Sequence, residues 1–434
     1  MSDLLIGGFG VAGLLIVLAL RVPIAVSLGL ISFIGIGLVK NFNVAFSAVS
    51  NSPFDLVASW SISAIPMFLF MGAIAYHTGI SAALFSAARL WLNSVPGGLL
   101  MASNWACALF SAASGSSMAT AAAIGRLAVP EMLRSGYNPG LAAAVVAASG
   151  TLGSLIPPSI LFILYGVIAK VPVSKLFLAG ILPGLLTAGL YTVLITVICY
   201  FKPHLAPRAK EKPQWPERWN SLYKTSPVFL LIGGILFGIY SGFVTAVEAG
   251  AVGAGLALVI GCFNGCKKSD IFSSLKETVT VTAQIFFIAI GATLFKQFIV
   301  LSGLSVELGH YAEEWAGSPV IAMIVTALVY LILGCFLDPL GILLVTLPVF
   351  LPIFEALDMD LIWTGVLVVK YIEISLITPP VGLNVFVVHA QVHDKVPLDQ
   401  IFKKVSWFFL CEMVIVALLI GFPSISTFLP ALIG

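Results

Sequence analysis

Charge is what this sequence has least of. Of 434 residues only 9% are Asp, Glu, Lys or Arg, against about 25% in an ordinary soluble domain. A chain this poor in charge and 60% hydrophobic has too little polar surface to face water all round. That excludes a soluble enzyme or binding module and marks an integral membrane protein. The formal net charge is only +2, far from the basic footprint of a nucleic-acid binder, so no nucleic-acid partner is expected. Short alternating strands are also lacking. The apolar runs are long, which selects a helix bundle over a barrel.

Chemistry-bearing clusters are equally scarce. Of the six cysteines, Cys107, Cys199, Cys335 and Cys411 lie in apolar runs, and Cys262 and Cys266 flank a short loop with no metal-like partner set. They read as small buried or interfacial residues. His77, His204, His310, His389 and His393 are scattered. No paired carboxylate, nucleophile–base set or metal motif stands together, so an enzyme is not expected. No Walker motif is present, so ATP does not drive the protein directly. The first apolar stretch, "MSDLLIGGFGVAGLLIVLALRVP", lacks a basic leading region and runs straight into further apolar segments. It reads as the first membrane helix, not as a signal peptide.

Against this background prolines stand out. "TLGSLIPPSI" (151–160) places Pro157 and Pro158 inside an apolar span, and "ISLITPPVGLN" repeats the pair at Pro379 and Pro380, 222 positions later. The same offset maps Pro130 onto Pro352. "KVPVSKLF" (170–177) returns as "KVPLDQIF" (395–402) at offset 225, and "GIS" (79–81) as "GLS" (303–305). Ordered landmarks at nearly one offset indicate an internal duplication. The loop charges indicate its orientation. "MLRSGYN" (132–138) carries Arg134, whereas its counterpart "FEALDMD" (354–360) is acidic only. Matching loops of opposite bias belong on opposite sides of the membrane, although the lysines of "KVPVSK" fall on the outer side.

The expected fold is therefore an all-α integral membrane protein of two inverted-topology repeats. Each has a re-entrant helical hairpin and a Pro-Pro-broken transmembrane helix. The first repeat spans 1–201, with its hairpin at about 96–133 and broken helix at about 140–169. The second spans 225–434, with its hairpin at about 318–353 and broken helix at about 361–390. Between them the proline-rich, basic segment 202–224 reads as a cytoplasmic linker, bearing Lys202, Arg208, Lys210, Lys212, Arg218 and Lys224 against Glu211 and Glu217. "ELGHYAEEWAG" (307–317) should lie outside, and "HDKVPLDQIFKK" (393–404), with Lys395, inside. Thr245 and Glu248 form a Thr-x-x-Glu capping box, which gives Glu248 a structural reason.

Four breaks at membrane depth carry the chemistry: two hairpin tips and two Pro-Pro segments. Irregular backbone is tolerated there only when buried in protein or lining a wet cavity. Each Pro-Pro removes two N–H donors and frees carbonyls of the preceding turn. Carbonyls and hydroxyls suit a small hard cation, while helix N-termini suit a substrate anion. Each tip is expected to face the Pro-Pro break of its own repeat. The first cation site would use Ser114, Gly115 and Ser116 with Gly150, Gly153, Ser154 and Pro157. The second would use Gly334 and Asp338 with Ser375, Thr378, Gly382 and Asn384. Small residues at these positions also serve tight helix packing, but an ionisable Asp338 at a proline-flanked break points to function.

Three basic residues lie within apolar spans and could meet an organic anion. Arg126 is ten residues past Ser116, about 15 Å along a helix, and could equally snorkel to the edge. Lys296 sits near the outer end of its helix. Lys370 has Glu373 at i+3, so the two could simply pair.

"ASGSSMATAAAIG" (113–125), "SGTLGSLIPPSILFILYGVI" (149–168), "FLDPLGILLVTLPVFLPI" (336–353) and "EISLITPPVGLNVFVV" (373–388) together resemble the large membrane subunit of tripartite ATP-independent periplasmic (TRAP) transporters. The likeness runs over nearly the whole chain. It implies a multi-pass protein of the bacterial inner membrane that imports a small carboxylate or sulfonate with Na+ as the coupling ion, by an elevator movement. It also implies two partners, a small membrane subunit and a periplasmic substrate-binding protein, besides membrane lipid and the organic-anion substrate. A stand-alone sodium/dicarboxylate symporter of the same plan and an uncoupled channel are the competing readings.

Overall fold

The computed structural model describes residues 2–207, 214–311, 314, 318–392 and 396–432. The charges Arg208, Lys210, Glu211 and Lys212, together with His393, Lys395 and part of the acidic 307–317 segment, lie outside the described residues.

Helices α1 (Asp3–Ala19), α2 (Ile24–Val39) and α3 (Phe42–Val57) come first. A short 3-10 turn, Trp60–Ser63, leads into α4 (Ala64–His77) and α5 (Ile80–Leu92). The first hairpin is α6 (Gly98–Ser114) and α7 (Ser117–Arg134). The first broken helix is α8 (Pro139–Gly150), α9 (Leu152–Leu155) and α10 (Ile160–Ala169), and α11 (Val173–Phe201) follows. Next come α12 (Trp215–Tyr240), α13 (Ala246–Phe263), α14 (Lys268–Leu301) and the short α15 (Leu304–Tyr311). The second hairpin is α16 (Pro319–Leu333) and α17 (Pro339–Ala356), and the second broken helix is α18 (Leu361–Ser375) and α19 (Leu383–Val392). Helices α20 (Leu398–Gly421) and α21 (Ser424–Leu432) end the described chain. Eight described segments are long and apolar enough to cross a membrane.

Element boundaries recur at the offset read in the sequence. Ser116 is the N-cap of α7 and Asp338 the N-cap of α17. Asn138 caps α8 and Asp360 caps α18, both through side-chain oxygens that accept backbone N–H groups. Pro172 and Pro397 stand just before α11 and α20. The breaks also correspond. After α9 the chain bends through Ile156, Pro157 and Pro158 to Ser159, which caps α10. After α18 it turns through Gly382, at φ +61°, into α19. Both Pro-Pro bonds are cis.

The 202–224 segment divides differently from the sequence expectation. Helix α12 already begins at Trp215, so the last ten residues of that segment are helix continuous with the following span. Proline is tolerated in a first helical turn, and Gln214 and Glu217 close a capping box, with Glu217 Oε2 accepting from the Gln214 N–H at 3.1 Å. The Thr245–Glu248 box is present at α13, with a 2.8 Å bond from the Thr245 N–H to Glu248 Oε2.

Helices α8 and α18 form the centre. From Gly140 to Gly150 every residue of α8 is buried, and so is Trp363 to Ser375 of α18. The first hairpin packs on α8 and the second on α18, while α20 lies against both. On the other side α14 packs along α2 and α4, and α13 along α4. With 34 residues, α14 is about 51 Å long, well beyond the ~30 Å hydrocarbon core. It must tilt or project from the bilayer.

Candidate functional site

At the first tip α6 ends at Ser114, Gly115 turns the chain at φ +62°, and Ser116 caps α7 by accepting from the Ala119 N–H at 3.4 Å. Ser114 Oγ lies 2.7 Å from Thr120 Oγ1 and closes the turn. The tip is seated directly on the first Pro-Pro break. The Ile160 N–H donates to the Gly115 carbonyl at 3.3 Å, and Ser117 Oγ lies 2.7 Å from Ser154 Oγ. Glycine makes this contact possible. A Cβ on Gly153 would fall 2.4 Å from the Ser116 carbonyl oxygen, one on Gly115 2.8 Å from the Pro158 carbonyl oxygen, and one on Gly150 2.7 Å from Ala121 Cβ.

Gly153→Ala is therefore expected to push the tip off the break. Overpacking of this kind costs about 1–3 kcal/mol. A fall in the thermal unfolding temperature of the purified chain would show it, whereas a parent-like value would contradict the close seating.

The second break is built similarly. Gly334 packs on Ser375, where a Cβ would collide with the Ser375 side chain at 2.1 Å. Cys335 Sγ lies 3.9 Å from the Pro379 carbonyl oxygen. The hydroxyls of Ser375 and Thr378 bond back to the Ile372 and Ile374 carbonyls at 2.6 and 2.7 Å, so those carbonyls are engaged although the helix ends there. Asp338 is half-buried at the N-cap of α17, with its Oδ1 close to Gly341 in the first turn. Asn384 reaches across the repeats. Its Nδ2 donates to the Ala147 carbonyl of α8 at 3.3 Å, while its buried Oδ1 has no partner among the described residues. Unpaired buried oxygens are costly, and this one fits a cation ligand.

A cavity of about 470 Å³ lies between the first tip and the helices beside it. Ser114 to Ala119 and Ser154 line one wall, Tyr76 of α4 and Glu277 and Gln284 of α14 another, and Asp338 a third. Asp338 thus borders the same space as the first tip, a convergence that 222 residues of separation conceal. Tyr76, Glu277 and Gln284 went unnoticed in the sequence. Glu277, Val281 and Gln284 recur at i, i+4 and i+7, one helical face, and that spacing was the available signal.

The basic candidates lie elsewhere. Arg126 is exposed on α7. Lys296 donates to the Ile168 carbonyl near the end of α10 at 3.3 Å and borders a separate cavity of about 400 Å³ with His310 and Glu355. Lys370 is wholly enclosed: its Nζ lies 2.9 Å from Glu412, 3.4 Å from Glu373 Oε2 and 3.1 Å from Thr187 Oγ1. Tyr191 donates to the same Glu412. The i+3 pairing with Glu373 is thus one edge of a larger buried network. No Lys, Arg or His is among the described residues lining the 470 Å³ cavity.

A family model for the DctM component of the tripartite ATP-independent periplasmic transporter matches residues 11–425. The chain belongs to this family. Among the relatives of this TRAP permease, the C4-dicarboxylate TRAP transporter large permease protein DctM of Pseudomonas aeruginosa is 35% identical over 88% of each chain. The sialic acid TRAP transporter large permease protein SiaM of Vibrio cholerae is 29% identical over 98% of this chain and 97% of its own. The isethionate TRAP transporter permease protein DctMQ of Oleidesulfovibrio alaskensis is 30% identical over 96% of this chain, which spans 64% of that protein. Among solved structures, the Alcanivorax borkumensis YdaH transporter superposes with a TM-score of 0.64 at 16% identity, covering 88% of this chain and 90% of its own. The Neisseria gonorrhoeae efflux pump MtrF gives 0.59 at 12% identity, covering 86% and 84%. These two share the fold. The TRAP permease is accordingly a multi-pass inner-membrane transport subunit, not an enzyme. Its class implies a small membrane subunit and a periplasmic binding protein as partners.

Proposed function

We propose that this permease imports a small organic anion, a carboxylate or sulfonate, by sodium symport. The observation that carries the reading is the cavity's charge pattern: hydroxyls, an amide and two carboxylates, with no basic side chain on the lining. An anion about 5 Å from Asp338 would be repelled by about 3 kcal/mol at an effective dielectric of 20. The N-terminus of α7 offsets only part of that. A cation held by the tip and break carbonyls and by Asp338 turns a repelling pocket into a receptive one, so cation and anion favour each other's binding. Reciprocal coupling of two ligands is the thermodynamic core of symport.

The matched caps and breaks support two inverted repeats, with two sodium sites at the tip–break contacts. Carbonyls of the Pro157 and Pro379 segments and the Asn384 side chain would supply oxygen ligands. The hairpins, broken helices and α20 would move together against α2, α4, α13 and α14, as an elevator. The Lys296 bond to α10 spans that boundary, so movement would part it. Lys296 also borders the 400 Å³ cavity.

The test is uptake into proteoliposomes holding the permease and its small subunit, with binding protein and a panel of dicarboxylates, sialic acid and sulfonates. At least one compound is expected to accumulate under an inward sodium gradient and to stop when potassium replaces sodium. Accumulation indifferent to sodium would overturn the reading.

A further inference from the structure

We infer that the crossing of α5 and α12 binds one anionic phospholipid from the cytoplasmic leaflet. The two helices leave a polar cavity on one side of their contact and an apolar groove on the other. The polar cavity, about 710 Å³, is lined by Ser86 and Arg89 of α5, by Asn93 just past its end, and by Glu217, Asn220 and Lys224 of α12. The groove, about 300 Å³, is lined by Leu84 and Trp91 of α5, Trp105 and Leu109 of α6, and Phe229 of α12. Helical spacing separates these sets: Ser86, Arg89 and Asn93 fall at i, i+3 and i+7, and Leu84, Ala88 and Trp91 at i, i+4 and i+7. A headgroup fits the first space and an acyl chain the second.

The charges are arranged for an anion. Lys224 makes no ion pair or hydrogen bond among the described residues, yet it borders both this cavity and a second one of about 520 Å³ that reaches Asn264. The two nearby carboxylates are already engaged. Glu131 holds Arg89, and Glu217 closes the cap at Gln214. Two of the five N–H donors of a guanidinium suffice for a carboxylate, which leaves Arg89 donors for a phosphate diester.

The surroundings select a lipid over a free phosphate ester. Trp215, Trp219 and Tyr223 on α12 are exposed large aromatics, the residue types that anchor at the headgroup level. Trp91 meets Trp215 and Trp219 edge to face at 6.3 and 6.1 Å, and Arg218 lies over Trp91 and Trp215, so the α5–α12 crossing is braced. Lys267 and Lys268 follow Asn264 closely in the chain at the same end. By the positive-inside rule this end faces the cytoplasm, where the leaflet carries anionic lipid.

Native mass spectrometry of the purified full chain tests this with phosphatidylglycerol, phosphatidylcholine and glycerol phosphate. Phosphatidylglycerol should be retained in preference to phosphatidylcholine, and glycerol phosphate at equal concentration should not displace it. Lys224→Gln should weaken retention about five-fold, the loss expected for one basic residue near the membrane surface, and Lys224→Arg should restore it. Equal retention of phosphatidylcholine, or parent-like retention by Lys224→Gln, would overturn the proposal. Displacement by glycerol phosphate would overturn the lipid as ligand, and displacement by the small membrane subunit would make this face a subunit interface instead.

Discussion

Asp338→Asn is expected to reduce sodium-dependent uptake at least a hundredfold while leaving the fold intact. Asparagine keeps the size of the side chain and is as good an N-cap as aspartate, so α17 should still begin at Pro339. The carboxylate's charge is what disappears. Removing one member of a poorly hydrated charge pair costs about 3–5 kcal/mol, and 3 kcal/mol already exceeds two decades in affinity. The loss should appear as a higher sodium requirement, because the variant cavity repels the anion less yet holds the cation worse. Ser116→Ala at the equivalent cap should act in the same direction more weakly, since an N-cap is worth about 1 kcal/mol. Parent-like sodium dependence in both variants would rule out the tip–break contacts as the sodium sites.

Lys370→Met is expected to destabilise the protein by about 3–5 kcal/mol, the usual consequence of leaving buried carboxylates unpaired. Lys370 joins Glu373 on its own helix, Glu412 on α20 and Thr187 on α11, and Tyr191 of α11 also reaches Glu412. Three helices lose their common tie at once. Thermal unfolding of the purified chain should show the loss, and changing Glu412 to Gln in the same molecule should recover part of it by removing one uncompensated charge. The measurement also separates two roles for Lys370. A normally stable Lys370→Met transporter with a raised Km would make Lys370 a substrate ligand, whereas a destabilised one with unchanged Km makes it a strut.

How much of this was legible follows from the range of each interaction. Proline's missing N–H acts within one helical turn, so the breaks at Pro157 and Pro379 could be read directly. So could the Thr245–Glu248 cap, whose partners are three residues apart. The seating of Gly153 on Ser116 and of Gly334 on Ser375 was approachable because landmarks recurring at one offset suggested the pairing. The Lys370 network was visible only in part. Glu373 lies three residues away, but Glu412 comes from another helix and Tyr191 from the other half of the chain. Asp338 was assigned to the second tip, and nothing local shows that it borders the cavity of the first. The start of α12 was missed because "KPQWPERW" is rich in proline and charge, and its capping box uses glutamine, not the usual serine or threonine, as first partner.

The most direct measurement is the entry of radiosodium into proteoliposomes alongside the transported anion, with ATP absent and no proton gradient imposed. Substrate should raise sodium entry above the background leak, sodium in turn should be required for substrate entry, and Asp338→Asn should reduce both at least a hundredfold at the same sodium concentration. Substrate accumulation with no accompanying sodium entry would contradict the account.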